Sequence, residues 1–181
     1  SDVGNITITA NNDVTTLGNL TSNTDAGSIT ITSNKAWVDG AAGITLANGS
    51  TVDADNDVTI TAASGAEINL DDGVINSSAV GDIKITGGDI DGSGNITATK
   101  GDVQLNSTND SETSTLSGII TADAGSITTL GGKFAISDLD ANAGGITIAG
   151  DSQGSFGALQ TTGSSVRITS SNSTQAATGD V

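Results

Sequence analysis

The strongest constraint on this chain is a phrase it keeps repeating: a small residue, then Ile, Val or Leu alternating with polar residues, as in Gly27-Ser28-Ile29-Thr30-Ile31-Thr32. Close copies run from Gly4 to Thr9, Asn56 to Thr61, Gly81 to Thr86, Gly101 to Leu105, Gly125 to Thr129, Gly144 to Ile148 and Ser164 to Thr169, and another begins at Gly179-Asp180-Val181. An alternation of period two places the branched aliphatics on one face and the hydroxyls on the other, so each copy predicts a short strand with one buried face. The first branched residue falls at 6, 29, 58, 83, 103, 127, 146, 166 and 181, giving separations of 23, 29, 25, 20, 24, 19, 20 and 15 residues. A recurrence near 20 with variable insertions is the signature of a solenoid.

A second register supports this reading. An aliphatic stands seven residues before the branched residue at Ile96, Ile120, Leu139 and Leu159. Small, turn-prone residues such as Asp123-Ala124-Gly125 and Asn142-Ala143-Gly144-Gly145 lie between, and they suit tight corners. The unit reads strand, corner, strand, corner. Val14, Leu17 and Leu20 are expected to supply other faces of the first coil, and Gly43-Ile44-Thr45-Leu46 the second face of a larger coil. The expected fold is all-β, a right-handed parallel β-helix, because crossovers between parallel strands are right-handed. It forms one β-solenoid segment over 1–181, with irregular coils of roughly 20 residues. The expected inward column contains Ile6, Ile29, Ile31, Val58, Ile60, Ile83, Ile85, Val103, Leu105, Ile127, Ile146, Ile148, Val166 and Ile168.

Composition agrees with a narrow core. Aromatics are 2% of the chain, while Pro, Cys, Met, His and Tyr are absent. A compact globule would lack large side chains to fill it, whereas a solenoid needs a thin aliphatic column per coil. Disordered chains lack regularly placed β-branched residues, and hydrophobics here reach 34%. Because the chain begins and ends within repeats, it is expected to be a monomeric fragment of a longer repetitive protein.

The net charge of −16, from 21 acidic and 5 basic residues, argues against nucleic acid as a partner. Lys35, Lys84, Lys100, Lys133 and Arg167 are scattered singly, and acidity instead keeps an exposed β-structure soluble. With no run of 18 apolar residues, a transmembrane segment is not expected. Without His or Cys the usual bases and thiol nucleophiles are missing, no GxSxG elbow is present, and the chain is expected not to be an enzyme. The single Trp37 is expected to fill a widened coil rather than form a sugar platform. Phe134 and Phe156, 12 and 10 residues before Ile146 and Val166, are expected on neighbouring coils with one ring near the other.

Two acidic runs have the spacing of calcium-loop fragments, Asp53, Asp55 and Asp57 in one and Asp89 and Asp91 in the other, since alternate carboxylates can converge on a hard cation. Lys100 stands where a distal Glu ligand would be needed, so the expectation is acidic turns on a solvated rod, with no metal and no cofactor. Sequons of the form Asn-x-Ser/Thr occur at Asn5, Asn19, Asn48, Asn76, Asn95, Asn106, Asn109 and Asn172.

The phrases GSITIT, GDIKITGGDIDGSGNITATKGDVQL and ITADAGSITTL resemble the repeats of the filamentous haemagglutinin family, which includes the high-molecular-weight adhesins of Gram-negative bacteria. The resemblance spans nearly the whole chain, although the family's NPNG-type export motif does not occur in it. It implies a secreted exoprotein that passes an outer-membrane secretion pore in two-partner secretion and folds at the bacterial surface as a long fibre. It further implies adhesion to a host cell, surface or biofilm, with the ligand held by other parts of the parent protein, and hexoses at the sequons. Two other classes are weighed against it. Outward Thr pairs at Thr7 and Thr9, Thr30 and Thr32, and Thr59 and Thr61 are what an ice-binding β-solenoid uses, but Lys84, Gln104 and Arg167 interrupt them. A polysaccharide-acting β-helix enzyme would gather acidic, basic and aromatic residues on one face, which nothing in the pattern predicts.

Overall fold

The computed structural model describes residues 4–11, 14–22, 26–34, 42–109, 111–150, 154–162, 166–170 and 176–177. Among these the secondary structure is strand throughout, with no helix. The first coil contributes β1 (Ile6–Ala10), β2 (Val14–Leu17) and β3 (Leu20–Ser22), and the second β4 (Ile29–Ser33), β5 (Ala42–Leu46) and β6 (Thr51–Ala54). The third has β7 (Val58–Ala62), β8 (Glu67–Asn69) and β9 (Val74–Ser77), and the fourth β10 (Ile83–Gly87), β11 (Ile90–Asp91) and β12 (Ile96–Ala98). Thereafter each coil pairs a short strand with a long one: β13 (Val103–Ser107) with β14 (Thr113–Ala122), β15 (Ile127–Gly131) with β16 (Lys133–Ala141), and β17 (Ile146–Gly150) with β18 (Gly154–Thr161). β19 (Val166–Ser170) and β20 (Ala176–Ala177) follow.

These strands stack into three parallel sheets, a β-solenoid. The first has eight strands in the order β1-β4-β7-β10-β13-β15-β17-β19, each member being a copy of the repeated phrase. Ile6, Ile29, Val58, Ile83, Val103, Ile127, Ile146 and Val166 stand in one unbroken register. The side chains from Ile29 to Ile146 are fully buried, and Ile6 and Val166 half-buried. A second column adds Ile31, Ile60, Ile85, Leu105 and Ile148, with one member the expected column omits: Thr129, between Leu105 and Ile148, is fully buried. The ninth copy at Val181, the side chain of Ile168 and Trp37 lie outside the described residues.

The second eight-stranded sheet explains the upstream register. Ile96, Ile120, Leu139 and Leu159 are in line, and the column extends back through Ile75 and Val52 to Leu20. The seven-residue offset fails for those earlier coils because their corners differ in length, which hides the column from a fixed-spacing search.

The two-strand unit needs correction in the first four coils. There a third, four-stranded sheet, β11-β8-β5-β2, makes the cross-section three-sided. It places the Gly43–Leu46 phrase over Val14 and Leu17, and Ile44, Ile68 and Ile90 form its buried column. Coils consequently average about 23 residues. From β14 upward the third sheet and the second are continued by one long strand, whose register shifts between Leu116 and Ile119. Gly92 bridges Leu116 on its lower part, and Ile120 continues the second sheet. The alternation of β14 runs unbroken across this shift and leaves Ile119 on the outward face, 46% exposed.

The two phenylalanines occupy neighbouring long strands two residues out of line, Phe134 opposite Gly154 and Phe156 opposite Ile136. Their unequal offsets from the following strand, 12 and 10 residues, are this two-residue displacement within an unshifted register, and the side chain of Phe156 lies outside the described residues.

The leading glycine of the phrase is a packing requirement. Gly81, Gly101, Gly125 and Gly144 stack at one corner. A Cβ on Gly101 would lie 2.1 Å from the Gly81 carbonyl oxygen, and one on Gly125 2.0 Å from that of Gly101. Successive coils reach strand spacing of about 4.8 Å there only because no side chain intervenes.

Candidate functional site

The corners carry most of the polar chemistry. Just before β1, β7, β10, β13 and β15 of the first sheet, an Asn, Asp or Ser side chain accepts a backbone N–H from the next coil. Asn5 Oδ1 accepts from Ser28 at 3.0 Å, Asp57 from Asp82 at 2.9 Å, Asp82 from Asp102 at 2.8 Å and Asp102 from Ser126 at 2.7 Å. Elsewhere Asn19 serves Thr51 at the start of β6, Asn95 serves Ile119 in β14 and Asp138 in β16 serves Ala158 in β18. Corner amides lie outside the strand ladders and need acceptors, which short acidic and amide side chains supply. Part of the acidity is thereby structural.

The first acidic run does not converge. Asp53 points outward from β6, where burial and the neighbouring Asp55 push its carboxyl up. Asp55 accepts from Ser78 Oγ at 3.0 Å, and Asp57 is committed to Asp82. The three follow the chain around a corner and engage different coils.

The second run does gather. Asp89 and Asp91 meet Glu67 from the coil below and Glu112 from the coil above, two partners that sequence spacing did not offer because they are 22 and 23 residues away. Asp89 is 7% exposed. Burial first, then a hydrogen bond shared with the Glu112 side chain, then the charges of Asp91, Glu112 and Glu67 push it up to about 7. Ser114 Oγ lies 3.5 Å from Asp89 Oδ1 and accepts the Ile90 backbone N–H at 3.0 Å. Asp91 is raised by burial, against the Thr115 N–H it accepts at 2.6 Å. Asp89 therefore keeps its proton to higher pH than an ordinary carboxyl. Among the described residues no group of three or more His, Cys, Asp or Glu has the geometry to hold a metal ion.

The outward Thr array is real but small. Thr7, Thr30 and Thr59 align, as do Thr9, Thr32 and Thr61, and the next coil replaces Thr59 by Lys84. Three strands cover only about 10 Å along the axis. Of the sequons, Asn5, Asn19, Asn48 and Asn95 are exposed, whereas Asn76, Asn106 and Asn109 are half-buried; Asn172 lies outside the described residues. No described helix is long and apolar enough to cross a membrane. Comparison with protein-family models, with curated proteins and with solved structures returns no match to this chain.

Proposed function

We propose that this chain is a stretch of the shaft of a secreted or surface-borne bacterial adhesin or fibre, contributing length and spacing and no catalysis, while ligand contact belongs to other parts of the parent. The supporting observation is the unbroken register of the first sheet from Ile6 to Val166. Every coil adds the same rise along one axis, and eight strands span on the order of 35 Å. The corner ladder and the glycine stack serve this repetition rather than a pocket. Export by two-partner secretion, through an outer-membrane pore, is part of the proposal and rests on the resemblance of the repeat phrases.

The test is attachment. Deleting a whole number of coils from the parent at the bacterial surface should shorten the fibre seen by electron microscopy while leaving soluble-ligand binding intact. Specific capture of a glycan or host-cell protein by the isolated 181-residue chain would overturn the shaft reading. Clear faceting of ice crystals would favour the Thr array instead.

A further inference from the structure

Asn48 is the single asparagine of the chain followed by glycine. The two residues occupy the centre of the turn that joins β5 to β6, closed by the Ser50 N–H donating to the Ala47 carbonyl at 2.9 Å. Both are exposed, Gly49 has φ 68°, and beyond its two chain neighbours no atom lies within 4 Å of where a Cβ would sit on it. This combination suits one reaction of the chain with itself: attack of a backbone nitrogen on the preceding side-chain amide, which needs a small following residue, a turn free to deform and room for a ring. Asn76 and Asn106, each followed by serine, sit half-buried in β9 and β13, where pairing on both sides holds the backbone extended. Asn5, Asn19 and Asn95 precede bulky Ile6, Leu20 and Ile96.

The geometry points to Asn48–Gly49 as a self-modification site, at which the turn between β5 and β6 converts through a succinimide to isoaspartate and aspartate. The Gly49 nitrogen loses its proton to solvent hydroxide and bonds to Asn48 Cγ; the Cγ–Nδ2 bond breaks and ammonia leaves with a proton from water. Water then opens the ring at either carbonyl, restoring the peptide bond or routing the backbone through the side chain. Each product adds one negative charge.

Asp72 sets the rate. Its Oδ1 accepts the Gly49 N–H from the coil above, and an anion held against that hydrogen opposes loss of the proton. The new carboxylate at position 48 adds a like charge next to the amide that Asp72 holds, which weakens the contact between the two coils at this corner.

The experiment is incubation of the native full chain at mildly alkaline pH in heavy-oxygen water, followed by peptide mapping and isoaspartyl methyltransferase labelling. The peptide holding residue 48 should take up heavy oxygen before any other, mostly as isoaspartate. The N48Q variant should abolish this first phase, and D72A should accelerate it several-fold. Reaction at Asn76 or Asn106 as early as at Asn48, or reaction at Asn48 only in the denatured chain, overturns the site. An unchanged or slower rate in D72A overturns the role of Asp72.

Discussion

Asp57 and Asp82 stack on successive coils, and the carboxylate of the first accepts the backbone N–H of the second at 2.9 Å. Asp102 extends the row, so three carboxylates lie along one edge at strand spacing. Near 5 Å in water each neighbouring pair repels by about 0.8 kcal/mol at low salt. The hydrogen bond each carboxylate makes is worth about 1 kcal/mol. The two effects nearly cancel, which is how an acidic edge coexists with a stable stack. Replacing Asp82 by Asn keeps the acceptor and removes the charge, so Asp82→Asn should match or exceed the parent in urea denaturation at low salt. Asp82→Ala should fall below the Asn variant by about 1 kcal/mol. Equal stability of the two variants would show that the acceptor contributes nothing.

The alternation along β17 predicts opposite outcomes at adjacent positions. Ile146 is fully buried between Ile127 and Val166. Ile146→Asp leaves an uncompensated charge in the aliphatic column and should destabilise the chain by about 3–5 kcal/mol. Thr147 stands on the outward face, and Thr147→Asp should stay within about 0.5 kcal/mol of the parent. Denaturant melts followed by circular dichroism decide both, and similar losses at the two sites would contradict the assigned faces.

Thr129 Oγ1 is buried without a hydrogen-bond partner among the described residues, in a column between Leu105 and Ile148. Valine has the same shape without the hydroxyl. Thr129→Val should therefore stabilise the chain by about 1–2 kcal/mol, the cost of an unsatisfied buried hydroxyl. Loss of stability would mean that the hydroxyl has a partner in solution.

Asp89 links stability to pH. Its native value of about 7 stands above the ordinary 3.8, so the folded chain holds this proton more tightly than the unfolded chain. The contribution is fully present below 3.8, declines as pH rises and is lost above about 7. Raised values at Glu67 and Asp91 act in the same direction. Asp89→Asn keeps a neutral side chain at every pH. The melting-temperature difference between this variant and the parent should grow in the variant's favour from acid to neutral pH. A difference that stays constant would show that Asp89 titrates normally.

Periodicity alone determined the strands of the first sheet, their inward faces and their alignment, because an alternation of branched and polar residues leaves only one face to bury. Leu20, Val52 and Ile75 joined the upstream column without any fixed spacing to announce them, since corner length varies while the stacking register does not. The continuation of the third side into the third and fourth coils, the slip at Leu116 and Ile119, and the meeting of Asp89 with Glu67 and Glu112 were decided only in three dimensions. Local pattern encodes which way a side chain points. Which residues from coils more than 20 positions apart share an edge depends on the sum of all corner lengths between them, and no window of sequence contains that sum.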